Sequence, residues 1–219
     1  MITQIYEIGN PKEAREVVEA GVDSVGVLVG DGEFPNELSI EKAKEVFAAV
    51  PSSTKKVALS LSGDLNKIGK ILKELQPEII HLGTLPVKLS PGDVSKLKKI
   101  FPKIKFMRSI PVLGEEIVDL AKQYEGIADY LLLDSYKKDD NQVGATGLIH
   151  DWSISKKIIE TVKIPVILAG GLGLDNVAEA IRQVHPYGVD SKTKTDKAGS
   201  NEKDINKVRE FVRIAKTTK

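Results

Sequence analysis

Two adjacent glycines, Gly170 and Gly171, are the residues of this sequence most plainly suited to holding a ligand. They follow Val166-Ile167-Leu168-Ala169, a run of buried-type residues. They precede a helix opened by Asp175, whose apolar positions Val177, Ile181 and Val184 share one face. Such a stretch delivers bare main chain to a helix start, where exposed N–H groups and the helix dipole favour an anion. A tight strand-to-helix turn with no ligand is the plainer alternative. Other reactive residue types are sparse. The absence of cysteine removes disulfides, thiolate metal sites and cysteine nucleophiles together. His81, His150 and His185 are scattered without partner spacing, so no metal is expected. No motif supports a nicotinamide or flavin, so no cofactor is expected.

Composition narrows the partners. The 219 residues are 41% hydrophobic and 29% charged, enough to bury a full core, and are not a disordered composition. A net charge of +1 gives no reason to expect nucleic acid or an anionic membrane as partner. The N-terminus, Met1-Ile2-Thr3-Gln4, lacks a basic region followed by an apolar one, and no apolar run is long enough to span a bilayer. A soluble cytoplasmic protein is expected. Its oligomeric state is left open, a homo-oligomer included.

The elements that must position the glycine turn recur in a regular grammar. Residues 4–7 read as a short strand around Ile5 and Tyr6. Asn10 suits a helix N-cap, Pro11 the first helical position, and Glu13 can reach back to the cap amide. Gly21 stops that helix, and residues 24–29 form a second strand. Further strands are expected at 56–61, 78–82, 104–110, 130–133 and 187–190, each followed by an apolar stripe of helical spacing. Ile68, Ile71, Leu72 and Leu75 are the clearest such stripe. The glycine stretch supplies the seventh strand and helix. Eight strand–helix alternations imply parallel strands with right-handed crossovers and fit an α/β chain closed into a (β/α)8 TIM barrel, one domain over residues 1–219. An open doubly wound sheet is the alternative, but it would place its glycine loop after the first strand. In a barrel, active sites gather at the C-terminal strand ends, with phosphate commonly held after strands seven and eight. Gly170-Gly171 occupies that place. Residues 191–203 are polar enough to be mobile.

Pro165–Ile181, together with Leu131-Leu132-Leu133-Asp134-Ser135, Gly144-Ala145-Thr146-Gly147 and Asp151-Trp152, resembles phosphoribosylanthranilate isomerase, a barrel enzyme of the tryptophan pathway. The similarity runs the whole chain in order, specific in its C-terminal half and weak, with a divergent sequence, in its N-terminal half. The resemblance implies an Amadori rearrangement. A general acid protonates the ribose ring oxygen and opens the ring, and a general base removes the C2 proton of the resulting iminium. Asp134 matches the family's acid, which must be protonated at working pH. The resemblance also implies substrate contacts at Gly144, Thr146 and Gly147, and phosphate contacts at Gly170, Gly171 and Thr193.

Several family positions are changed. Tyr6 stands where the family's basic cysteine closes strand one, and Glu7 replaces the glycine after it. A phenol, with a pKa of roughly 10, is a poor base. Glu7 suits better, although strand alternation turns it away from the side Tyr6 faces. His81 takes a glutamine's place in strand four, either as a structural residue or as a replacement base. Asn36 replaces an arginine that pairs with the anthranilate carboxylate and brings no charge. Lys194 stands at a family glycine, where its charge can meet a phosphate, whereas Lys192 reads as solvated. Arg108 replaces a lysine, and a cation buried at the mouth would pair with Asp134. These changes predict weak or absent anthranilate-pathway activity. They leave open a displaced base, a paralogue acting on another phosphorylated sugar, and a non-catalytic barrel that binds a phosphorylated metabolite.

Overall fold

The computed structural model describes residues 1–136 and 149–219. Strands β1 (Ile2–Ile5), β2 (Ser24–Leu28), β3 (Lys55–Ser60), β4 (Ile79–Leu82), β5 (Lys105–Pro111), β6 (Tyr130–Asp134), β7 (Val166–Leu168) and β8 (Gly188–Ser191) all pair in parallel. Helices α1 (Pro11–Glu19), α2 (Ile40–Ala48), α3 (Leu65–Leu75), α4 (Pro91–Ile100), α5 (Ile117–Lys122), α6 (Trp152–Thr161), α7 (Val177–Val184) and α8 (Ile205–Thr217) follow them in turn. β1 also pairs with β8, from Ile2 opposite Gly188 to Ile5 opposite Ser191, and this seam closes the barrel. The (β/α)8 expectation holds, and the open sheet is excluded. No helix among the described residues is long and apolar enough to cross a membrane.

Strand alternation sorts the side chains into two cores. Tyr6, Val57, Ile79, Met107, Leu132, Ile167 and Ala169 pack together inside the barrel. Ile5, Val25, Ala58, Ile80, Phe106, Leu131 and Leu168 face the helices and join their apolar stripes. The strands are therefore apolar on both faces, as parallel strands covered by helices must be. Gly26 has a specific use here: a Cβ on it would stand 2.0 Å from Cδ1 of Tyr6, so the Tyr6 ring lies against bare backbone.

Local signals account for most helix starts. Asn10 accepts from the Glu13 amide (2.9 Å), and Ser90 and Asp93 complete a reciprocal capping box on α4. Glu13 caps one residue earlier than expected, accepting from the Gly9 amide at 2.8 Å. Helix α7 is opened by Asn176 and not by Asp175. β1 begins and ends two residues before its expected span, because its ladder with β8 stops at Ile5. Residues 191–203 are tied down rather than loose: Lys203 is buried and ion-paired with Asp196, and its amide donates to Glu13 Oε1 at 2.6 Å.

Candidate functional site

The C-terminal end of β7 carries the glycine turn. Gly170 has φ +85° and Gly171 φ +64°, the left-handed region in which a Cβ is strained. A Cβ on Gly170 would also come within 2.6 Å of His150 Nδ1 and 3.2 Å of the Ser135 amide nitrogen. Neighbours hold the turn on both sides. Asn176 accepts from the Gly173 amide (2.8 Å) and donates to the Gly171 carbonyl (3.0 Å), while the Ser191 hydroxyl donates to the Leu172 carbonyl (2.7 Å).

Asp134 ends β6 in phase with the inward residues Tyr130 and Leu132. Its Oδ1 accepts from the Ser135 amide at 2.7 Å and the Ser135 hydroxyl at 3.3 Å. Burial outweighs those hydrogen bonds and pushes its pKa up to about 7. Asp190 on β8 faces inward as well, with only 7% of its surface exposed, and accepts from Gln4 Nε2 at 3.2 Å. Burial first, and then the charge of Asp134, raise its pKa well above the usual carboxylate range. One small pocket is lined by Asp134, Gly170, Gly171, Asp190, Lys192 and Lys194 among others. Asp190 was only a landmark in the sequence. The alternation that puts Val189 in the outer core was the available signal for its inward direction.

Thr193 and Lys194 lie in a single 3-10 turn (Thr193–Thr195), are exposed, and line the same pocket. Lys192 departs from the solvated expectation. Its side chain is only 17% exposed, and its Nζ lies 3.6 Å from Asp196 and 3.8 Å from Glu7. Gly144, Thr146 and Gly147 lie outside the described residues.

At the other side of the mouth the expected bases separate. Tyr6 points into the barrel, and its hydroxyl is 2.8 Å from His81 Nδ1; His81 Nε2 is 2.6 Å from the Ser109 hydroxyl. Burial, and then the charge of Asp190, push the Tyr6 phenol well above its usual pKa. Burial and then Arg108 bring His81 down to about 3. A phenol that holds its proton and an imidazole engaged at both nitrogens form a structural chain, poorly placed for proton abstraction. Glu7 corrects the alternation argument: the strand ends at Ile5, so nothing forces Glu7 away from the mouth. Its Oε2 accepts from Asn36 Nδ2 at 3.3 Å.

Arg108 is a second correction. It does not reach the mouth or Asp134. Met107 and Ser109 take the inward positions of β5, so Arg108 faces the helices, fully buried. There Nη1 donates to the Leu82 and Thr84 carbonyls (2.5 and 2.7 Å), and Nε donates to the Tyr124 hydroxyl (3.2 Å). Carbonyl dipoles rather than a carboxylate compensate the charge.

A closed α/β barrel with a protonatable carboxyl and a glycine turn in one pocket at its C-terminal face has the arrangement of a barrel enzyme. The model of the family described as N-(5'phosphoribosyl)anthranilate (PRA) isomerase matches residues 4–214. The chain belongs to that family. It is 34% identical over 218 residues to N-(5'-phosphoribosyl)anthranilate isomerase 2 of Methanosarcina mazei, covering 99% of this chain and 94% of that one. It is 31% identical over 210 residues to the isomerase of Methanocella arvoryzae, covering 95% of each. The solved isomerase of Pyrococcus furiosus superposes with a TM-score of 0.78 at 28% identity, over 99% of this chain and 98% of that one. A phosphoribosyl anthranilate isomerase solved in complex with reduced 1-(o-carboxyphenylamino)-1-deoxyribulose 5-phosphate superposes with a TM-score of 0.78 at 25% identity, over 99% of each chain. The divergence expected of the N-terminal half is thereby corrected, since the family model takes in that half as it does the C-terminal half.

Proposed function

We propose that residues 1–219 act as one barrel domain that isomerises N-(5'-phosphoribosyl)anthranilate to its aminoketose by an Amadori rearrangement. The observation that carries this is the Asp134 carboxyl, with a pKa of about 7, in the pocket of the Gly170-Gly171 turn. Protonated Asp134 donates to the ribose ring oxygen as the C1–O bond breaks, and the nitrogen lone pair forms the C1=N iminium. Glu7 takes the C2 proton. The C–H electrons form C1=C2, and the C1=N pair returns to nitrogen. The resulting enol then becomes the ketone as its O–H proton is lost and C1 gains one, so no redox partner is needed. Glu7 is assigned as base because Tyr6 and His81 are buried against each other and Asp190 is held towards its neutral form. The phosphate is assigned to the main chain at Gly170 and Gly171, with Thr193 and Lys194 beside it.

The expectation of weak pathway activity rested on the missing cysteine and arginine. Glu7 at the mouth and the inward-held Lys192 remove part of its basis. The test is direct. The protein is supplied with N-(5'-phosphoribosyl)anthranilate made in place from anthranilate and phosphoribosyl pyrophosphate, and loss of its fluorescence is followed. Turnover is expected in the native protein, with a fall of roughly 10²–10⁴-fold in Asp134→Asn. Phosphate binding without turnover would support the non-catalytic barrel. The paralogue reading draws on Asn36, which brings no charge to the mouth; turnover of another aldose phosphate but not of this one would favour it.

A further inference from the structure

Glu7 is held by one of its two carboxylate oxygens. Asn36 Nδ2 donates to Oε2 at 3.3 Å, and Lys192 Nζ faces the same Oε2 at 3.8 Å. Oε1 accepts no hydrogen bond among the described residues. A carboxylate tethered through one oxygen keeps the lone pairs of the other for an incoming proton, in a direction that the tether fixes. The side chains of Lys192 and Glu7 are only 17% and 13% exposed, so solvent screens the ammonium little.

Lys192 is itself fixed from several sides. Its carbonyl accepts from Thr195 Oγ1 (2.9 Å) and from Nζ of the buried Lys203 (3.3 Å). Its ammonium donates to Asn201 Oδ1 (3.1 Å) and lies 3.6 Å from Asp196, which Lys203 also pairs. Asn201 Nδ2 donates in turn to Asn36 Oδ1 (3.1 Å), so the two groups that meet at Glu7 Oε2 are joined behind it. Glu7 follows β1, Asn36 follows β2, and Lys192 and Asn201 follow β8, so the assembly straddles the seam that closes the barrel. β1 ends at Ile5, short of Glu7, which leaves the direction of the carboxylate to these side chains.

We propose that Lys192 is a positioning residue for the isomerisation: acting through Glu7 Oε2, it aims the carboxylate so that Oε1 is the atom that takes the C2 proton. A lone pair of Oε1 bonds that proton as the C–H electrons form C1=C2, and Glu7 becomes a neutral carboxyl. Lys192 takes no part in the proton transfer. The inference rests on the proposed function, in which Glu7 is the base. It adds the loop after β8 as the element that aims this base, and it names the oxygen that reacts.

The test measures kcat and KM with ordinary substrate and with substrate deuterated at ribose C2, made in place from anthranilate and deuterated phosphoribosyl pyrophosphate. Active sites are counted by titration with reduced 1-(o-carboxyphenylamino)-1-deoxyribulose 5-phosphate, so that misfolded protein does not lower kcat. Lys192→Met is expected to lower kcat about tenfold or more while KM stays within about threefold, because a misaimed base slows the proton transfer and not binding. Its lowered kcat should show a clear deuterium isotope effect, and Lys192→Arg should recover most of the loss. Asn36→Gly removes the other tether at an exposed residue whose φ of 65° suits glycine, and it should lower kcat in the same sense by a smaller factor. Native kcat in Lys192→Met, a rise in KM alone, a lowered kcat with no isotope effect, or no recovery in Lys192→Arg would overturn the proposal. Turnover lost in Glu7→Gln but native in Lys192→Met counts against Lys192 alone. Native turnover in Glu7→Gln removes Glu7 as base and this inference with it, and absence of turnover in the native protein overturns both the isomerase reading and this inference.

Discussion

Asp134 and Asp190 face one pocket from β6 and β8, across the intervening β7, and the charge of Asp134 makes ionisation of Asp190 harder. Two carboxyl groups so placed do not ionise independently, and the second proton is held more tightly than the first. The pocket therefore keeps a proton ready beside the glycine turn at neutral pH.

The pH dependence follows from that proton. Asp134 must be protonated to act as acid, so kcat/KM is expected to fall as pH rises through about 7. Stability moves the same way. The folded pKa of about 7 lies above the unfolded carboxylate value of about 3.9, so the group's stabilising contribution is complete below about pH 4 and is lost as pH rises through 7. Asp134→Asn is neutral throughout. It should raise Tm by several degrees at about pH 8, change it little at about pH 4, and abolish most turnover. An unchanged or lower Tm at the higher pH would contradict the account of Asp134.

The proposed phosphate site rests on the left-handed glycines. Gly170→Ala is expected to cost about 1–3 kcal/mol by denaturant unfolding, since it forces a Cβ into a φ of +85° and against His150. Gly171→Asp would set a carboxylate at the proposed anion site, and calorimetry with ribose 5-phosphate should show binding lost. Unchanged binding would remove the phosphate assignment.

Tyr6→Phe separates structure from catalysis. It leaves His81 Nδ1 without its partner in the barrel core and should cost about 1–3 kcal/mol in urea unfolding. Turnover should change only a few-fold. A loss as large as that of Asp134→Asn would return the phenol to the role of base.

Lys203→Met is expected to cost about 1–3 kcal/mol, because the buried Asp196 carboxylate loses its hydrogen-bonded cation and keeps only Lys192, at 3.6 Å. A variant as stable as the native protein would show that the pair contributes nothing to ordering the loop after β8.

Much of the fold could be read from local pattern. Stripes such as Ile68, Ile71, Leu72 and Leu75 specify a buried helix face by spacing alone, and all four are buried on α3. Adjacent glycines between a strand and a helix announce a backbone that other residues resist, and both have positive φ. Strand ends were less legible, as the two-residue shift of β1 shows, because a ladder stops where its partner strand stops.

The direction of side chains from strands apolar on both faces was not written locally. Phe106, Met107 and Ile110 give β5 no polar phase, so nothing in that stretch says whether Arg108 looks at the mouth or at Tyr124; the helix layer decides it. Likewise, residue types alone listed carboxylates, lysines and asparagines without saying which would meet. The amino-acid sequence by itself determined eight strand–helix units and a glycine turn on the seventh, since those depend on short-range periodicity and backbone sterics. Only closure of β1 on β8 brought Glu7 and Asn36 to Lys192 and Asn201 and turned Asp190 into the pocket of Asp134, because contacts between residues so far apart in the chain exist only once the barrel's register is set.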